Sequence, residues 1–172
     1  MFLTVTQETS CCPRSCWRLT ATSGRPTATR RFTHDENPRT MIQTFQFDNI
    51  TVAVARIEEC ERVQLSDSQQ RDVDSLSIEK RRRERKACYW LINNFFSADT
   101  LIAHHSDGAP MLVDRNGNPL AEISFSLSHS LEYAAIAFSK SVQPLGVDIE
   151  QPSAKIRRVA SKFLSERELA DF

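Results

Sequence analysis

No apolar run in the 172 residues approaches the roughly 20 that a bilayer-spanning helix needs. The N-terminus also lacks the continuous apolar core of a signal peptide. Neither sign of charge prevails, with 22 Lys and Arg against 22 Asp and Glu. Without a net field, nothing draws the whole chain to nucleic acid or to a membrane, and recognition by charge must be local. Cysteine is sparse and odd in number: of five, Cys11, Cys12 and Cys16 cluster near the start while Cys60 and Cys88 stand alone. That is no disulfide framework, and a reduced cytoplasm is the expected setting. Cys-Cys-Pro-x-x-Cys also lacks a fourth ligand at zinc-like spacing.

What is present falls into unequal parts. Residues 1–40 are rich in Thr, Ser and Arg, poor in acids and without sustained periodicity. They read as a disordered or spurious N-terminal extension, with an organelle transit peptide as the other reading. From Met41 the composition becomes globular. The alternating Ile50, Val52 and Val54 predict a half-buried strand within residues 47–55. The clearest helix is predicted over residues 78–96, where Ala87, Leu91 and Phe95, flanked by Cys88 and Ile92, make one apolar stripe. Its first turns carry Lys80-Arg-Arg-Arg-Glu84-Arg-Lys86, either a solvated face or a local anion-binding patch. His104-His105 reads as loop, and Asn116-Gly117-Asn118-Pro119 as a turn.

The densest chemistry lies in residues 123–150, read as three strands: Ile-Ser-Phe-Ser-Leu-Ser128-His129-Ser, Tyr133-Ala-Ala-Ile-Ala-Phe and Leu145-Gly-Val-Asp148-Ile-Glu150. Successive strand side chains alternate faces, so Asp148 and Glu150 share one face while Val147 and Ile149 anchor the other. Two acids so placed are either a solvated pair or the ligands of a hard cation such as Mg²⁺, which is typically held by one or two carboxylates plus phosphate oxygens. His129, at a strand end, is either structural or a donor to a phosphate. After Pro152, Ile156, Val159, Ala160 and Phe163 recur at helical spacing. Ser165-Glu-Arg-Glu168 is a capping-box pattern announcing a further helix.

In this order, Ser-Leu-Ser-His-Ser, Tyr-Ala-Ala-Ile-Ala, Gly-Val-Asp-Ile-Glu and Arg157-Arg-Val-Ala-Ser-Lys-Phe-Leu-Ser165-Glu-Arg-Glu168-Leu resemble the 4′-phosphopantetheinyl transferases of the type built from two fused halves. The resemblance is fullest over residues 119–172, thin over 41–118, and does not reach 1–40. It implies an α+β fold of two pseudo-symmetric subdomains, 41–116 and 117–172, each a small antiparallel sheet packed on a long helix, the second incomplete. It implies transfer of the 4′-phosphopantetheine arm of coenzyme A to a serine of an acyl- or peptidyl-carrier protein, with no nucleic-acid or membrane partner. Asp148 and Glu150 would hold Mg²⁺, His129, with Ser128 or its backbone beside it, would hold a coenzyme A phosphate, and Glu168 would be the acid near the metal. One or two basic residues of 80–86 would contact coenzyme A. Where the family carries Gly-Lys-Pro this chain has Gly117-Asn118-Pro119, and no Trp-x-x-Lys-Glu segment follows Glu168. The expectation is therefore a chain that ends within a domain and is impaired in transfer. The alternatives are a non-catalytic module that binds coenzyme A or a carrier protein, and a non-functional fragment.

Overall fold

The computed structural model describes residues 2–8, 16–22, 28–32 and 42–150. In chain order the elements are β1 (Phe2–Glu8), β2 (Cys16–Thr22), β3 (Ala28–Phe32), β4 (Ile42–Phe47) and β5 (Ile50–Arg56). A 3-10 helix, Ile57–Arg62, leads to α1 (Asp67–Asp74) and α2 (Glu79–Asn93). Then follow β6 (Leu101–His104), β7 (Pro110–Val113), β8 (Ser124–His129), β9 (Tyr133–Ser139) and β10 (Gly146–Glu150). The described fold is mixed helix and strand, its sheets mostly antiparallel, in keeping with the α+β class.

The main sheet runs β4-β5-β9-β8, all antiparallel. β4 and β5 are joined by the two-residue turn Asp48-Asn49, where Asp48 takes φ 52°, a conformation Asp tolerates better than most side chains. The strand expected within residues 47–55 is thus a hairpin turn followed by β5. Nor is that strand half-buried. Val52, Ala53, Val54 and Ala55 are all buried, as is every residue of β9, because both faces of these inner strands are covered.

One face carries α2. The expected apolar stripe is found, with Ala87, Cys88, Leu91 and Ile92 buried together with Tyr89. Ala53, Ala55, Ala134, Ile136 and Phe138 meet them from β5 and β9. Past the helix end, Phe95 and Phe96 lie against Phe138 with ring centroids 5.0 and 4.9 Å away. α1 is started by Ser66, whose hydroxyl accepts from the Gln69 amide. Inside it, the fully buried Gln69 donates from Nε2 to Asn93 Oδ1 (2.8 Å) and to the Thr100 carbonyl (2.9 Å), while Asn93 Nδ2 donates back to Gln69 Oε1 (3.0 Å). A buried amide satisfied this fully fixes α1, α2 and the entry to β6 relative to one another.

The opposite face carries a second sheet, β10-β1-β2-β3, in which β1 pairs parallel with β10 and antiparallel with β2. Leu3, Val147 and Ile149 from this sheet pack on Ile50, Val52, Val54, Tyr133, Ala135 and Ala137 of the first. Two expectations change here. Residues 1–40, expected to be a disordered or spurious extension, contribute three strands among their described residues. Their composition cannot build a core of its own, yet a strand needs only a partner for its backbone and a place for a few side chains. β10 offers the first and Leu3, fully buried, takes the second. Second, residues 41–116 and 117–172 were expected to hold separate sheets, whereas among the described residues only the two-stranded β6-β7 sheet lies wholly within one of them. Each supplies a hairpin to one shared sheet, and α2 packs on strands from both. The helix expected from Ile156, Val159, Ala160 and Phe163 lies outside the described residues.

Candidate functional site

β10 alternates as expected: Val147 and Ile149 are buried, and Asp148 and Glu150 take the other face. The two acids come within reach of each other. Partial burial raises the Glu150 carboxyl above its ordinary value, and the Asp148 charge and a hydrogen bond with the Asp148 side chain push it the same way. A carboxyl pair so placed holds a proton or makes room for a cation.

What fastens β10 is a row of serines. Ser124, Ser126 and Ser128 recur every second residue on β8, so they share a face, while Phe125, Leu127 and His129 take the other. Ser124 Oγ accepts from the Gln143 amide at 2.8 Å. Ser126 Oγ accepts from the Val147 amide at 3.1 Å. Ser128 Oγ accepts from the Ile149 amide at 3.2 Å and donates to Asp148 Oδ1 at 3.0 Å. β10 thus has a backbone ladder to β1 on one side and hydroxyl partners from β8 on the other. Because the Ile149 amide can only donate, the single Ser128 hydroxyl proton goes to Asp148 Oδ1. That oxygen is the acceptor in this bond.

His129, one residue on, turns to the helix side. Its Nδ1 stands 3.4 Å from Glu84 Oε1 on α2, and Lys80 Nζ stands 3.5 Å from the same oxygen. Glu84 is only 5% exposed, and its Oε1 makes no hydrogen bond among the described residues; nor does the buried Nη1 of Arg85. Arg81, Glu84, Arg85, His104, Leu127 and His129 line a cavity of about 250 Å³. Cationic groups around one buried carboxylate suit an anion that also brings a hydrogen-bond donor.

The expected site residues therefore fall into two groups. Ser128, Asp148 and Glu150 meet on the β10 side, and His129 opens into the cavity on the α2 side. They join at the end of β8, where the Cα atoms of neighbouring residues are about 3.8 Å apart. Ser128 was expected to meet a phosphate, but its hydroxyl is engaged by Asp148 and Ile149. Of the basic run, Arg81 and Arg85 reach the cavity, whereas Arg82 pairs with Glu79 and Arg83 with Glu61 on the surface. The Asn118 side chain donates to Asp114 Oδ2 at 2.9 Å and helps hold the turn, in which Gly117 takes φ 84°. Glu168 and the Cys11-Cys12 segment lie outside the described residues. Among the described residues, no three His, Cys, Asp or Glu converge on a metal position.

Glu84 was the residue passed over in the sequence, and Arg85 was included in the basic run without being singled out. The signal was available: Glu84 stands three, four and seven residues before Ala87, Cys88 and Leu91, so it sits on the apolar stripe itself. No family model matches the chain, and no curated protein matches it. No helix of the described residues is long and apolar enough to cross a membrane.

Proposed function

We propose that this chain moves the 4′-phosphopantetheine arm of coenzyme A onto a serine of an acyl- or peptidyl-carrier protein, in the cytoplasm and with Mg²⁺. The observation that carries the reading is the acid pair on β10, one of its members held by Ser128, with the next residue, His129, lining a cavity together with Arg81 and Arg85.

Phosphoryl transfer needs positioning and charge neutralisation more than covalent help from the protein. Asp148 and Glu150 fit Mg²⁺, since both are oxygen donors on one face and the repulsion between them favours a cation. When bound, the ion neutralises charge on a diphosphate. Arg81, Arg85 and His129 hold the donor's phosphates by charge-assisted hydrogen bonds. The carrier serine oxygen bonds to the phosphorus of the arm, the bond to adenosine 3′,5′-bisphosphate breaks, and the serine proton passes to a base, for which Glu168 is our candidate.

The test is mass spectrometry of an apo carrier protein incubated with the chain, coenzyme A and Mg²⁺. A mass gain of one phosphopantetheine group, absent with Asp148→Ala, is the expected result. No gain under any divalent ion would overturn transfer. A second reading, a module that binds coenzyme A without turnover, is favoured by the presence of two acids rather than three in the described site. It is the outcome if binding depends on Mg²⁺ and loading fails.

A further inference from the structure

We propose that Ser128 is a positioning residue for the acid pair: its hydroxyl fixes the Asp148 carboxylate in the orientation that receives a divalent cation. This rests on the metal reading of Asp148 and Glu150 given above. Three observations carry it. The hydroxyl is used in both directions, accepting from the Ile149 amide at 3.2 Å and donating to Asp148 Oδ1 at 3.0 Å, so its rotor has one setting. The amide that sets it belongs to the residue between the two acids, so strand and carboxylate are fixed by one atom. The hydroxyl takes one acceptor position of Oδ1 and leaves the rest of the carboxylate to a cation. An unanchored Asp would have to be ordered at the moment of binding, which weakens affinity.

β8 carries its own control. Ser126 sits on the same face two residues earlier and accepts from the Val147 amide at 3.1 Å, with no carboxylate as second partner. If the serines only dock β10, removing either should act alike. If Ser128 also orients Asp148, only its loss should touch the ion.

The experiment uses the full chain as wild type, Ser128→Ala, Ser128→Thr, Ser128→Cys and Ser126→Ala. Mg²⁺ affinity is read by calorimetry, and exchange of the Val147 and Ile149 amides by NMR. Losing a hydrogen bond that orients a metal-binding carboxylate typically weakens metal binding about 10–100-fold, and Ser128→Ala is expected to fall in that range. Ser128→Thr, which keeps the hydroxyl, should restore the affinity. Ser126→Ala should speed exchange at Val147 and leave Mg²⁺ affinity unchanged. Should Ser128→Ala not fold, Ser128→Cys keeps the shape with a weaker donor and is expected to bind Mg²⁺ more weakly than Ser128→Thr. Equal Mg²⁺ affinity in wild type, Ser128→Ala and Ser128→Cys would overturn the positioning role while leaving the metal reading standing. A wild type that binds no Mg²⁺ would overturn both.

Discussion

At the scale of single residues, the asymmetry between Asp148 and Glu150 has the clearest consequences. The Ser128 hydroxyl donates to Asp148 Oδ1, whereas partial burial and the Asp148 charge raise the Glu150 carboxyl above its ordinary value. A carboxyl raised in the folded state binds its proton more tightly there than when unfolded. Its contribution to stability is therefore present below the ordinary value of 4.5 and is lost as pH rises through the raised value. Relative to Glu150→Gln, the wild type should lose thermal stability as pH rises from about 4 to about 7, and Mg²⁺ should restore it at the upper end. Melting curves of both proteins across that range, with and without Mg²⁺, check the sign. A wild type that gained stability on Glu150→Gln with rising pH would contradict it. The sharing of a face by Asp148 and Glu150 was legible from alternation alone. So was the placement of Ser128 and His129 on opposite faces, although the familiar Ser-His-Ser string invites them to be read as one phosphate-binding unit.

At the scale of elements, α2 and the strands β8, β9 and β10 were legible because their apolar residues recur at 3.6 or 2, or run continuously where both faces are covered. β1 was not, because Phe2–Glu8 is held by backbone pairing with Leu3 buried beneath it. Pairing partners 144 residues away on β10 leave no local trace in sequence. The 3-10 turn Ile57–Arg62 was likewise missed, its buried Ile57 and Cys60 being too few to set a period. Leu3 tests whether β1 belongs to the fold. Removing a buried leucine side chain costs about 2–5 kcal/mol, so Leu3→Ala should lower the denaturation midpoint and speed exchange of the Asp148 amide. A Leu3→Ala protein that melts like wild type would mean that β1 contributes nothing to the core. The serine row works at the same scale. Where a second backbone ladder would run, hydroxyls of β8 accept from the Val147 and Ile149 amides of β10.

At the scale of the molecule, the main sheet lies between α2 and the second sheet, and each of its faces carries one part of the proposed site. The acid pair belongs to the β10 side and the cationic cavity to the α2 side, and the neighbouring residues Ser128 and His129 of β8 face one each. A donor bearing a diphosphate and further phosphate would meet both parts, whereas inorganic phosphate would meet only one. That division could not be read from sequence, since it depends on which residues of α2 face β8 rather than solvent. The measurement that tests the account most directly is calorimetric titration of coenzyme A into the full chain, with and without Mg²⁺, for wild type and Asp148→Ala. Mg²⁺-dependent binding by wild type that Asp148→Ala abolishes is the expected result. Binding that ignores Mg²⁺, or that survives Asp148→Ala intact, would contradict it.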